Sequence, residues 1–163
     1  MTNKTTTNTS LSDDKVSPQV LSVDLQLCFA LYSTSLSMTK IYKPLLSKLK
    51  LTYPQYLVLL VLWETDGVTV NRLSEKLFSD SGTLTPLLKR IEKLGLIQRQ
   101  RTAADERRVM ITLTEQGRLL QAQAFNVHTQ VACSTGCKLT ELQALNNQLI
   151  SLRTNLIKNF TKF

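Results

Sequence analysis

Residues 79–114, SDSGTLTPLLKRIEKLGLIQRQRTAADERRVMITLT, leave this chain the fewest folds to choose from. Leu84, Leu87, Leu88, Ile91 and Leu94 recur at helical spacing, which gives a short helix one apolar face. Gly95 follows as a stop, because glycine reaches the left-handed conformation at least cost. Residues 96–101 then turn strand-like and polar, residues 102–108 carry no apolar stripe, and residues 109–113 are rich in β-formers. A helix with a polar first turn followed by a basic hairpin spells a winged helix-turn-helix. The fold class is mainly α with a small β-hairpin wing. Such a helix fits a major groove and such a wing reaches toward the neighbouring minor groove.

Charge agrees with that reading. Between Pro86 and Arg108, seven basic residues (Lys89, Arg90, Lys93, Arg99, Arg101, Arg107, Arg108) stand against Glu92, Asp105 and Glu106. The whole chain of 163 residues carries a formal net charge of +8, which favours a polyanionic partner. Ser81, Thr83 and Thr85 fall in the first turns of the predicted helix, where side chains reach base edges or phosphates. Lys89 and Arg90 are expected at phosphates, and Arg99 is expected to bind DNA as well. Arg107 is expected in the minor groove, oriented by Asp105. The expected partner is double-stranded operator DNA carrying an inverted repeat.

Around this unit the chain reads as helices. Residues 1–20 are rich in Thr, Asn and Ser, are expected to be disordered, and have no apolar core of a signal peptide. A single domain is expected over 21–163, with the winged helix at about 52–114 and dimerisation helices at about 21–50 and 115–160. Leu25, Cys28, Leu31, Tyr32, Ile41, Tyr42 and Leu45 lie broadly on one side of the first helix, which Pro44 should kink or divide. Thr52 and Gln55 have capping-box spacing before the apolar run YLVLLVLWE. Thr69, Asp80 or Ser79, Thr114 and Thr140 are the expected caps of the later helices. Pro86 lies beyond the first turn of its helix, so that helix should start late or bend. Leu145, Leu149, Leu152 and Leu156 form a stripe near the end of the chain. The terminal helices carry more apolar surface than one small module covers, so a homodimer is expected. No apolar run reaches the length of a membrane span, and a cytoplasmic location is expected.

LCFALY around Cys28, IYKPLL around Tyr42, LTYPQYLVLLVLWE around Tyr53 and DSGTLTPLLKRIEKLGLI, with DERR at the wing and LTEQG after it, occur here in order. Together these segments resemble the MarR family of winged-helix repressors, and within it the organic-hydroperoxide sensors of the OhrR type. The resemblance covers about residues 22–160. It implies a dimeric repressor, not an enzyme, whose DNA affinity falls when a cysteine is oxidised, with an organic hydroperoxide as inducer and no cofactor. By the resemblance, Cys28 is the redox sensor, hydrogen-bonded by Tyr42 and Tyr53, with Tyr32 one turn beyond. A second cysteine near the start of the last helix resolves it in a disulfide between subunits; the resemblance favours Cys133, with Cys137 the alternative.

Spacing adds an independent constraint. Cys28 and Tyr42 are fourteen residues apart, about 21 Å along a straight helix, so a contact between them implies the partner subunit. Nothing basic adjoins Cys28 in sequence, and Asp24 one turn back opposes a thiolate. Activation is therefore expected from the tyrosine hydroxyls and weakly from the helix N-terminus. Three other readings stay open. One is a repressor released by a small aromatic or lipophilic ligand. Another is a metal sensor using His128, Cys133 and Cys137, with or without Cys28, although that spacing is unusual for zinc. The third is a thiol peroxidase, although the chain lacks a thioredoxin-like βαβ pattern.

Overall fold

The computed structural model describes residues 21–102 and 105–160, without the side chains of 102–107. The chain divides into two compact units, Met1–Ser37 and Met38–Phe163. In the first, a single 3₁₀ turn (Val23–Leu25) precedes the opening turns of α1 (Leu27–Lys48), and Leu25, Phe29 and Tyr32 are exposed. Pro44 lies inside α1 and does not divide it, because the loss of one backbone donor leaves the flanking turns intact.

The second unit is built on α2 (Tyr53–Glu64). Its sequence is apolar on every side, and Val58, Leu59 and Leu62 are buried. The Thr52 N–H donates to Gln55 Oε1 at 2.8 Å, the backbone half of the expected capping box. After α2 come β1 (Val68–Thr69), α3 (Val70–Leu77), α4 (Ser81–Lys93), β2 (Ile97–Thr102), β3 (Asp105–Leu113), α5 (Glu115–Ser134) and α6 (Leu139–Phe160). The strands form one antiparallel sheet in the order β1-β3-β2, with Val68 opposite Ile111 and Ile97 opposite Leu113. A register shift falls between Arg101 and Thr102.

Leu84, Leu88 and Ile91 of α4 are fully buried with Leu73 of α3 and with Ile97 and Ile111 of the sheet. Leu94, the last member of the predicted stripe, is exposed, because it caps the helix as the chain turns at Gly95 (φ 74°). Pro86 also sits inside its helix: α4 starts at Ser81 and runs through it. Thr69, Asp80 and Thr114 cap as expected, their side chains accepting from the N–H groups of Arg72, Thr83 and Gly117. Thr140 does not cap. α6 begins at Leu139, and Glu141 Oε2 instead accepts the Lys138 N–H at 2.9 Å.

Two long-range clasps fix the sheet and the start of α5 to the end of α2. The Asp66 carboxylate accepts the N–H groups of Gly67 (2.9 Å) and Leu113 (2.8 Å) and pairs with Arg118 (2.9 Å). The Trp63 indole N–H donates to the Gly117 carbonyl at 2.9 Å. α6 buries none of its residues, and its guanidinium at Arg153 lies 4.1 Å from the Phe78 ring centre, at the left-handed turn (φ 51°) between α3 and α4. No single described helix is long and apolar enough to cross a membrane.

Candidate functional site

The N-terminus of α4 is held by one side chain. Asp80 accepts from the Thr83 N–H at 2.8 Å and from the Thr83 hydroxyl at 2.7 Å. These bonds, the hydroxyl's foremost, hold the Asp80 carboxyl below the usual carboxylate range. Ser81 and Thr83 are exposed on the first turn. Thr85 is half-buried and its hydroxyl donates back to the Ser81 carbonyl at 2.8 Å. Lys89 and Arg90 are exposed further along the helix. The result is a polar helix start followed by two cations.

Arg99, expected to bind DNA, already has a partner within the chain. Its N–H donates to Glu92 Oε1 at 3.1 Å, its guanidinium lies 3.8 Å from Glu92 Oε2, and its side chain is 19% exposed. It ties β2 back onto α4. Asp105 and Arg107 belong to β3, but their side chains lie outside the described residues.

The three cysteines are unpaired and exposed. Cys28 is the second residue of α1, and the first hydrogen bond of the helix runs from the Ala30 N–H to the Gln26 carbonyl. The N–H groups before it point out of the helix end, where an anion is favoured. The expected weak influence of the helix N-terminus thus falls at the cysteine itself, because α1 starts at Leu27. Tyr32, one turn on, is 62% exposed.

In the second unit, Tyr42 of α1 and Tyr53 at the start of α2 meet, their ring centres 4.7 Å apart. Tyr56 completes the cluster at 6.0 Å from Tyr42. Burial, with the neighbouring tyrosines adding to it, pushes the Tyr42 hydroxyl up to about 12, and burial raises Tyr53 and Tyr56 as well. The hydroxyls of Tyr42 and Tyr53 are therefore neutral donors at any physiological pH. Neither hydroxyl is among the buried, unpartnered polar atoms of the described residues, so both are open to an acceptor from outside the chain.

A cavity of about 360 Å³ opens beside this cluster, lined by Tyr42, Tyr56, Leu60, Trp63, Phe125 and His128 among others. A second, of about 300 Å³, lies at the junction of α5 and α6, where His128, Cys133 and Cys137 all contribute to the wall. Among the described residues no three His, Cys, Asp or Glu side chains are grouped closely enough to hold a metal ion.

Comparison with known proteins places this geometry. The profile of a family described as transcriptional regulator SarA/Rot matches residues 40–123. The organic hydroperoxide resistance transcriptional regulator of Bacillus subtilis is 48% identical over 136 residues, 83% of this chain and 92% of that protein. The structure of reduced AbfR bound to DNA is 36% identical, with 83% of this chain and 95% of that one covered and a TM-score of 0.67. The structure of AbfR with its disulfide formed is also 36% identical, with 80% and 91% covered and a TM-score of 0.60; AbfR is a protein of Staphylococcus epidermidis.

Proposed function

This chain belongs to the MarR/SarA-type winged-helix transcriptional regulators, and from that premise we propose a dimeric repressor released from its operator when an organic hydroperoxide oxidises Cys28. The observation that supports the redox half is the Tyr42–Tyr53 pair: two neutral hydroxyl donors on rings 4.7 Å apart. A thiolate is an acceptor that such a pair of donors can stabilise. The fourteen-residue spacing, about 21 Å of helical rise, makes Cys28 of the partner subunit its source.

The chemistry follows in two steps. The Cys28 thiolate attacks the outer peroxide oxygen, the O–O bond breaks, and an alcohol and a sulfenic acid result. Cys133 of the partner subunit then attacks that sulfur, water leaves, and an intersubunit disulfide forms. A disulfide needs Cα atoms within about 7 Å, so the helices carrying the two sulfurs must move or unwind. The displaced recognition helices no longer match the operator. Cellular thiols reverse the bond.

The DNA half rests on α4. Ser81 and Thr83 face solvent at its start, and Lys89 and Arg90 are set to meet phosphate. Arg107, with Asp105 beside it, is assigned to the minor groove. Dimerisation rests on the apolar residues that α6 leaves exposed, with Leu145 50% and Leu156 59% accessible. Deletion from Glu141 onward should abolish dimers and DNA binding together.

The test is a mobility-shift assay on the upstream DNA of the protein's own gene, with and without cumene hydroperoxide. Wild type should bind and be released, and Cys28→Ser should bind and remain bound. A Cys28→Ser protein released as readily as wild type refutes the redox mechanism. The cavity beside Tyr42 and Trp63 favours one second reading, release by a small aromatic or lipophilic ligand. Release of Cys28→Ser by such a ligand, with no response of wild type to peroxide, would establish it.

A further inference from the structure

The turn between α5 and α6 holds two thiols, and the proposed switch uses only one. Cys133 lies in the last turn of α5 and Cys137 just beyond its end. The chain does not run away between them. Gly136, left-handed at φ 69°, reverses it, and the Gly136 N–H donates to the carbonyl of Cys133 itself at 3.4 Å. The Thr135 hydroxyl makes a second tie: it donates to the Ala132 carbonyl at 2.7 Å and accepts the Cys137 N–H at 3.2 Å. The Cys137 thiol then lies 3.6 Å from the carbonyl of Thr135, the residue that caps α5. Both cysteines are exposed and border the same cavity of about 300 Å³. Beyond its own chain neighbours, nothing lies within 4 Å of where a side chain on Gly136 would begin, so the turn is open to solvent on that side.

We infer that Cys133 and Cys137 form a second redox couple, which takes the disulfide over from Cys28. The inference rests on the reading of Cys28 as sensor and Cys133 as resolving thiol. After the intersubunit bond forms, the Cys137 thiolate attacks the Cys133 sulfur of its own chain, having lost its proton to solvent. The Cys133–Cys137 bond forms and the Cys28–Cys133 bond breaks. Cys28 leaves as a thiolate and takes up a proton. No oxidant is consumed in this step: the two oxidising equivalents delivered by the peroxide pass from one disulfide to the other. Proximity favours the transfer. A thiol four residues away, on a turn already folded back, is presented at an effective concentration of about millimolar or more without any diffusional encounter. The covalent dimer is then a transient, and the sensor thiol is returned without an external reductant.

The experiment uses full-length wild type, Cys137→Ser and Cys28→Ser. Each is treated with one equivalent of cumene hydroperoxide per protomer and quenched over time with a maleimide. Crosslinking is read on non-reducing gels and disulfides by tryptic mass mapping. Cys133 and Cys137 fall on one tryptic peptide, residues 119–138, so their bond registers as the loss of two hydrogen atoms. In wild type the Cys28–Cys133 crosslink should rise and then fall at least fivefold as that oxidised peptide accumulates and Cys28 regains maleimide labelling. In Cys137→Ser the crosslink should persist. A wild-type crosslink as lasting as that of Cys137→Ser overturns the transfer and leaves the sensor reading standing. Formation of the oxidised peptide in Cys28→Ser at the wild-type rate also overturns it, because the pair would then be oxidised directly. A wild type in which peroxide never blocks Cys28 overturns the sensor reading and the transfer with it.

Discussion

Gly117→Ala separates helix propensity from packing in this fold. Gly117 is the third residue of α5, and by propensity alone alanine there should stabilise by up to about 1 kcal/mol. Packing argues the opposite. A Cβ at 117 would collide with the backbone carbonyl of Leu96, and it would also press on the Leu113 side chain at 3.2 Å. The obstructing atom is backbone and cannot rotate away. That same carbonyl accepts the Thr114 N–H at 3.1 Å, and the Gly117 carbonyl accepts the Trp63 indole at 2.9 Å. Relief therefore requires α5 to lift from the start of β2. Overpacking of this kind costs about 1–3 kcal/mol, and weakening the indole bond adds about 0.5–1.5 kcal/mol. Against the propensity gain, the net loss is about 1–3 kcal/mol. For a chain of this size each kcal/mol moves Tm by about 2–4 °C, so a fall of about 3–10 °C is expected. The assay is calorimetry at fixed protein concentration, since coupled dimerisation would otherwise shift Tm. An unchanged or raised Tm refutes the close approach of α5 to Leu96.

Three further outcomes follow from the site. Lys89→Ala and Arg90→Ala should each weaken operator binding across sequences and reduce the salt dependence of binding by about one counterion, read as the slope of log affinity against log salt; a slope unchanged in both would remove these residues from the interface. Asp80→Ala should lower operator affinity and speed amide exchange at Thr83 while Asp80→Asn does so less, and since the folded carboxyl titrates below the usual range, its support for α4 is present above that range and lost as pH falls through the lowered value. Tyr42 titrates near 12 when folded against about 10 when unfolded, so wild-type stability should decline from pH 10 to pH 12 and Tyr42→Phe should flatten that decline, which alkaline denaturation curves would show or deny.

What the sequence made legible is what is decided within a few residues. Asp80 with Thr83, Thr69 with Arg72, Thr114 with Gly117 and the reversal at Gly95 are contacts of short reach between residues of strong local preference. They fix the ends of α3, α4 and α5, and with them the polar first turn that carries Ser81 and Thr83. The misreadings come from the same source. Proline has a strong local preference, yet it neither divides α1 at Pro44 nor delays the start of α4 beyond Ser81. Thr140 is a good cap, but Glu141 satisfied the Lys138 N–H and the helix began one residue earlier than Thr140. β1 is two residues long and exists only because Val68 and Thr69 lie beside β3, so no periodicity could announce it.

The candidate site depends more heavily on distance in the chain. Arg99 reads as one more cation in a basic stretch, and only the turn at Gly95, which folds β2 back on α4, reveals Glu92 as its partner. Tyr42 and Tyr53 meet because residues 49–52 end one helix and start the next, with Lys50 in the left-handed region at φ 55°. The clasp of Trp63 on Gly117 spans 54 residues and that of Asp66 on Arg118 spans 52, and both bring the end of α2 onto the start of α5. In the proposed switch those clasps acquire a further meaning. α5 ends at the cysteines and begins at Gly117, beside the wing, so displacement of its C-terminal end during disulfide formation acts on a helix whose other end is pinned to the sheet. In that proposal a helix held at its N-terminal end by hydrogen bonds and an ion pair would transmit such a displacement as rotation, and the wing and recognition helix, fastened to that end through Asp66 and Leu96, would move with it.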